Sequence, residues 1–196
     1  MEKIINKFIC VLKKSLVPLI LFSVVYVIGF IFGIIFYVKN CDVTIFYKNV
    51  LDYHIIIFDS TVSVFKCFIK CLFVGFLLTI PIFLFGLSNY TIPFSGIIIF
   101  YRGLILGICL ITFYNLSKIY GIFIFIILTL PSHFIITLGL IIATVLNYRL
   151  RENCKINERW KDVLKNCLIS VLFAIISAIY MLFMLIVIVR PINQLF

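Results

Sequence analysis

A single arginine stands inside a long apolar run, and its charge demands a chemical explanation. Arg102 lies in the stretch IFYRGLILG, residues 99 to 107. Counted from Pro93, where the apolar segment begins, it would lie about 13 Å into a bilayer core that is about 30 Å thick. A charge at that depth is unfavourable by at least ~2.5 kcal/mol on insertion scales. The sequence therefore predicts either a partner for Arg102 or a route by which its side chain leaves the apolar core.

Several partners are compatible with Arg102, and the sequence leaves them open. They are backbone carbonyls freed near Pro81 or Pro131, hydroxyls such as those of Ser132 and Thr137, a lipid phosphate, or an acid on another protein. The alternative is a shifted or re-entrant segment from which Arg102 snorkels to the membrane surface. All seven Asp and Glu residues lie outside the predicted spans, so no carboxylate of those spans can pair with it.

Other residues whose side chains could take part in catalysis or metal binding form no recognisable pattern. His133 follows Pro131 and Ser132 directly, whereas His54 is far away in the sequence. The sequence contains no zinc-protease helix, nucleophile elbow or phosphate-binding glycine loop. We therefore expect no enzyme activity, no catalytic residue, no metal and no cofactor. Pro131, Ser132 and His133 join Arg102 as the predicted intramembrane polar positions.

The composition determines the elements that must position these residues. Hydrophobic residues make up 65% of the chain, and Phe alone occurs 22 times. Five apolar stretches approach or exceed the ~20 residues that a membrane-spanning helix needs, and the polar interruptions are too short to bury a core of their own. The sequence predicts an all-α polytopic membrane helix bundle, with residues 1–196 as a single integral membrane domain. The predicted spans lie near residues 16–38, 68–89, 93–114, 119–147 and 167–189.

The distribution of basic residues predicts the orientation of the bundle. Of the 17 Lys and Arg residues, Arg102 lies within a span, ten flank the ends on the N-terminal side and six flank the opposite ends. Because positive charge resists translocation, this asymmetry predicts a cytoplasmic N-terminus. The anionic lipids of the inner leaflet account for the net charge of +10, so membrane lipids are the expected partners and no nucleic acid is needed.

Glycines at a spacing of four residues indicate close packing of helices. Gly29 and Gly33 lie in the first span, Gly103 and Gly107 lie in the third, and Gly96 precedes Gly103 by two helical turns. Such small faces let two backbones approach closely in lipid. The pattern does not choose between another helix of the same chain, a second copy in a homo-oligomer, and a helix of a partner protein.

Three segments of the sequence, taken together, resemble stage II sporulation protein M. They are VIGFIFGIIFYVKN, LLTIPIFLFGLSNYTIPFSGIIIFYRGLILGICLITF and GIFIFIILTLPSHFIITLGLIIATV. The shared features are a G-x-x-x-G first span, a glycine-turn-I-P hairpin, a basic residue before a second G-x-x-x-G, and LP followed by polar residues. In this chain they are carried by Gly29, Gly33, Gly86, Pro93, Arg102, Gly103, Gly107, Pro131, Ser132 and His133.

The resemblance implies a membrane platform without catalysis of its own. Such a protein would work in the cell membrane at the sporulation septum, on the mother-cell side, and would retain membrane-anchored peptidoglycan hydrolases during engulfment of the forespore. The competing interpretation is a small transporter or permease subunit. It is favoured by the prolines in the second and fourth spans and by an arginine near the membrane midplane, whereas the lack of acids and the scarcity of polar residues in the spans speak against it.

Overall fold

The computed structural model describes residues 15–39, 64–88, 90–153, 159–184 and 186–187. Several of the basic residues counted for the orientation, at positions 3–14, 48, 155 and 190, lie outside these residues. Within the described ranges the chain is helical and contains no strand. The helices are α1 (Leu16–Lys39), α2 (Val64–Gly86), α3 (Ser95–Ile124), α4 (Leu130–Asn153) and α5 (Arg159–Met184), with a 3₁₀ turn at Ile92–Phe94 and a π-helical segment at Phe125–Thr129.

The α3 helix reverses direction near Lys118, whose φ of 53° lies in the left-handed region. The rings of Phe113 and Phe125 have centroids 6.1 Å apart, although twelve residues of straight helix would separate them by about 18 Å. The close approach of Gly121 to the carbonyl of Phe113 is a second sign of this reversal. The chain therefore crosses the membrane twice here, in a third span and a fourth span joined by a tight turn.

Among the residues that the structure describes, four helical segments are long and apolar enough to cross a membrane. They are α1, the third span (Ile92–Asn115), the fourth span (Lys118–Leu150) and α5, and a shorter apolar segment, Cys71–Gly86, forms most of α2. In lipid the backbone N–H and C=O groups must be satisfied within the segment, which helices achieve. The predicted fold class is thereby confirmed: the chain is an α-helical, multi-pass membrane bundle.

Two predicted spans have other bounds in the structure. The second helix runs from Val64 to Gly86 instead of from 68 to 89, and the fifth begins at Arg159 instead of at 167. The prediction counted charge-free residues and so began after Lys165. The first two turns of α5 are nevertheless helical, because Arg159 and Val163 are buried against the end of α2.

Neighbouring helices of the bundle run either parallel or antiparallel to each other. The main contact of α1 is with the third span, and Gly29 lies against Phe100 while Gly33 lies against Leu104, so these two helices run parallel. The fourth span and α2 both pack antiparallel on α5. The bundle thus has an Arg159 end, which also contains Ser15 and Gly86, and an opposite Lys118 end.

The fourth span occupies the centre of the bundle. Residues 140 to 145 are all buried, with no break of the kind that a lipid-facing stripe would produce. A helix that is apolar and buried all round belongs to a core. Its neighbours are α1 and the third span on one side and α2 and α5 on the other, so its polar residues are positioned to connect the two halves.

Candidate functional site

Arg102 lies inside the bundle, with 3% of its surface exposed. On the third span it stands between Ile99, which packs with Phe22 and Ile141, and Leu106, which packs with Phe125. The span that carries it is long and apolar enough to cross a membrane. Its side chain is buried among the helices, which favours a partner inside the protein over the snorkelling alternative.

Polar side chains of neighbouring helices lie near this arginine. Tyr26 of α1 lies near both Arg102 and Thr137 of the fourth span, and Cys109 follows Arg102 two turns later on the same span. A guanidinium offers five N–H donors in a fixed geometry. We call Tyr26, Arg102, His133 and Thr137 the mid-membrane layer, because they are polar residues that α1, the third span and the fourth span carry in the middle part of the bundle.

His133 contributes to this layer through both its position and its backbone. Its side chain is buried, and the Thr137 hydroxyl, one turn later on the same helix face, donates to its carbonyl oxygen at 2.7 Å. This bond satisfies the Thr137 proton within the helix. The Thr137 oxygen can still accept a hydrogen bond.

Pro131 and Ser132, which the sequence offered among the candidate partners of Arg102, lie at a contact with α5. The Ser132 hydroxyl lies 2.9 Å from the Ser177 hydroxyl of α5, and Ser177 also donates to the Ser132 carbonyl at 3.0 Å. Pro131 lacks an N–H and cannot bond the Ile127 carbonyl four residues earlier. The Tyr180 hydroxyl of α5 donates to that carbonyl instead. Ser132 and the Ile127 carbonyl therefore both bond to α5, on the far side of the fourth span from α1.

The two G-x-x-x-G motifs pack against each other. A Cβ on Gly29 would overlap the Phe100 carbonyl, and one on Gly103 would overlap the Tyr26 carbonyl. The second glycine of each motif repeats the arrangement one turn later, with Gly33 against Leu104 and Gly107 against Phe30. These four glycines therefore pack against helices of the same chain. Of the three kinds of partner that the sequence left open, this is the one that the structure shows.

Gly96 differs from the other four glycines. A Cβ at this position would lie 3.6 Å from the Phe22 ring, an ordinary van der Waals contact. Of the three glycines that the sequence predicted on one face of the third span, Gly103 and Gly107 contact the backbone of α1 closely, whereas Gly96 leaves room for a side chain. The third span approaches α1 most closely in its central turns.

A second polar group closes the Arg159 end of the bundle. Arg159 is buried, and its Nε donates to the Gly86 carbonyl at 3.0 Å, where α2 ends. A cation beside the last carbonyls of a helix is favourable because those groups carry partial negative charge. Next to it, the Asn166 amide donates to the Asn147 Oδ1 at 3.0 Å. The ends of α2 and α4 are thereby joined to the start of α5.

Sequence reasoning missed Tyr26, Asn147, Arg159 and Tyr180. Arg159 had been counted among the solvated charges that set the orientation, and its burial corrects that interpretation. The signal that could have found the others is simple: each is a polar group inside or at the end of an apolar span, where an unsatisfied donor or acceptor is costly. Thr137, which had been considered for Arg102, does lie at the mid-membrane layer.

The described residues contain no group of three His, Cys, Asp or Glu side chains that could hold a metal ion. No protein family, curated protein or solved structure matches the chain. The fold and its site define a multi-pass membrane protein whose buried polar groups in the spans lie between its own helices.

Proposed function

We propose that this chain is a membrane scaffold without catalysis of its own, which retains membrane-anchored peptidoglycan hydrolases at the sporulation septum. The resemblance to stage II sporulation protein M supports the identity of the partners. The observation that carries the scaffold role is the use of polar side chains in contacts between helices. Thr79 meets Ser170 at 3.0 Å, and the Ser132, Tyr180 and Arg159 contacts likewise tie separate helices together.

Contacts of this kind stabilise one arrangement of helices and leave the outer surface for partners. Of the four long spans α1 is the least buried, because it packs on the third span through one narrow glycine face. Its remaining surface is apolar and exposed, including Leu21, Ile28 and Ile35 at intervals of seven residues. A membrane anchor of another protein could pack on this exposed apolar surface.

The test is co-purification with a membrane-anchored hydrolase. The chain and a candidate hydrolase are co-expressed and extracted in mild detergent, the chain is captured by a tag, and the eluate is assayed for peptidoglycan cleavage. We expect cleavage in the eluate of the co-expression and none from the chain alone. Cleavage by the chain alone would contradict the non-enzymatic role, and an eluate without hydrolase would overturn the scaffold role.

Matched variants locate the contact. Alanine at Leu21, Ile28 and Ile35 of α1 should reduce hydrolase retention. Alanine at three equally exposed positions of α5, Leu168, Leu172 and Ile179, should leave it unchanged. Both variants remove similar apolar surface that faces lipid, so both should melt at the temperature of the unmodified protein.

Localisation tests the biological part of the proposal separately. A fluorescent fusion under its own promoter should appear in the mother cell during sporulation and should concentrate at the septum. Uniform expression in vegetative cells would contradict the sporulation role and would leave the retention experiment to decide the scaffold role.

The second candidate function is a small transporter or permease subunit, and the mid-membrane layer is the observation that favours it. The Thr129 hydroxyl is buried in the π-helical segment, and no hydrogen-bond partner for it occurs among the described residues. Irregular backbone near a buried charge is a feature of transport sites. Liposomes containing the purified chain would have to show anion flux that Arg102→Leu abolishes and Arg102→Lys partly keeps. Without flux, this function fails.

A further inference from the structure

The start of α5 carries an exposed face that changes from aromatic and basic to apolar. Trp160, Leu164 and Leu168 follow one another at intervals of four residues and are all exposed. Residues four apart share a helix face, so Trp160 heads a column that faces lipid. Lys161 and Lys165 form the adjacent exposed column, and no charged residue follows Lys165 within the described part of α5.

The spacing of these residues matches the depth of a headgroup layer. From Trp160 to Lys165 the helix rises about 7.5 Å, close to the thickness of the polar zone on one side of a bilayer. Trp favours this zone because its ring is apolar and its N–H is polar. The column of leucines below it lies at the depth of the acyl chains, which fixes Trp160 and both lysines at the level of the lipid phosphates.

The two lysines present their charges outward at this level. The Lys161 Nζ lies 5.7 Å from the centre of the Trp160 ring, which holds the ammonium beside the aromatic column. The Lys165 side chain is 74% exposed and its Nζ lies 3.3 Å from the Asp162 carboxylate. An exposed pair of this kind contributes little, so a lipid phosphate can compete with Asp162 for the same ammonium.

We propose that Trp160, Lys161 and Lys165 form a binding site for the headgroup phosphate of an anionic lipid. The occupant is a lipid of the surrounding leaflet, because the apolar column beneath the site continues directly into the acyl region. The site is independent of the scaffold role, since it requires only that α5 crosses the membrane.

The chain contains a single tryptophan, which makes its fluorescence a direct reporter of this site. The full-length protein is reconstituted into phosphatidylcholine vesicles that contain a small fraction of lipid brominated near the glycerol end of its acyl chains. Bromine quenches only a nearby indole, so quenching measures which lipid lies beside Trp160. We expect brominated phosphatidylglycerol to quench more strongly than brominated phosphatidylcholine, with an apparent preference of roughly fivefold.

The variants change the preference in opposite directions. Lys161→Gln combined with Lys165→Gln should reduce it to about one, whereas Asp162→Asn should increase it by removing the competing carboxylate. Lys118→Gln is the matched control, because Lys118 also lies beside an aromatic ring, with its Nζ 5.5 Å from the centre of Tyr114, but at the opposite end of the bundle. It should leave the preference unchanged.

Salt provides a measurement that needs no variant. At about 1 M salt, where the Debye length falls to ~3 Å, the preference of the unmodified protein should largely disappear. Equal quenching by the two brominated lipids at low salt would overturn the proposal, and so would a preference that persists in the double lysine variant.

Discussion

Gly33 and Gly107 face each other where α1 crosses the third span: a Cβ on Gly107 would lie 3.2 Å from the Cα of Gly33. At Gly103, one turn earlier, a Cβ would overlap the Tyr26 carbonyl. Gly103→Ala must therefore push the two backbones apart, and we expect it to lower the free energy of unfolding by about 1–3 kcal/mol. Thermal melting in detergent would measure this loss.

Gly96→Ala is the matched control for that substitution, because it adds the same methyl group to the same helix at ordinary contact distance from Phe22. It should change stability by less than about 0.5 kcal/mol. Equal melting temperatures for Gly96→Ala and Gly103→Ala would show that the α1 contact is looser than described.

Tyr180→Phe should cost about 1 kcal/mol, because it removes the donor to the Ile127 carbonyl and leaves that carbonyl without the bond that Pro131 cannot supply. In a Pro131→Ala background, a backbone N–H becomes available four residues after Ile127. The loss caused by Tyr180→Phe should then be smaller. A double-mutant cycle on the free energies of unfolding measures the coupling, and strictly additive effects would refute it.

Arg159→Gln should destabilise the bundle by about 1.5–3 kcal/mol, since it removes a charged hydrogen-bond donor from the end of α2. The Gly86 carbonyl would be left in a site that is closed by Val163 and Asn147. Arg149→Gln removes one charge from the same end of the bundle at a half-buried position and should have a much smaller effect. Chemical unfolding of the two variants in detergent compares them directly.

The orientation can be tested at the two tight turns of the bundle. In a chain whose seven cysteines are replaced by alanine, Lys118→Cys should react with a membrane-impermeant thiol reagent in intact cells. Tyr90 is 86% exposed at the Arg159 end, and Tyr90→Cys should react only after permeabilisation. The reverse pattern would place the N-terminus outside, against the distribution of basic residues.

The sequence was sufficient for the fold class, because charge-free length and hydrophobicity decide which segments can span a bilayer. It was also sufficient for the close approach at Gly29 and Gly103, since small residues at this spacing have few other uses in lipid. It could not pair the two motifs with each other. That pairing depends on which of several apolar helices lies beside α1, and their hydropathy patterns are too alike to distinguish them.

Long-range polar contacts were also beyond prediction. Tyr180 meets the Ile127 carbonyl across 53 residues of sequence, and nothing near either residue indicates the other. Arg159 shows the opposite difficulty: its neighbours are polar, so its composition is that of a loop, yet the end of α2 buries it. The sequence singled out Arg102, which is buried in the bundle, but its neighbour Tyr26 looked like one more aromatic residue in an apolar span.

During synthesis α1 enters the membrane before the segment against which its glycines pack. Parallel helices cannot be joined by a tight turn, so the chain must cross the bilayer through α2 before the third span can reach α1. The α2 helix gains its own contacts later still, because Gly75 and Thr79 contact Ala174 and Ser170 of α5, which is synthesised last of the described helices. A nascent chain that stops before α5 can therefore form the glycine contact between α1 and the third span, but the small and polar face of α2 remains open to lipid. Such a chain would be recognisable to the insertion and quality-control machinery of the membrane as incomplete.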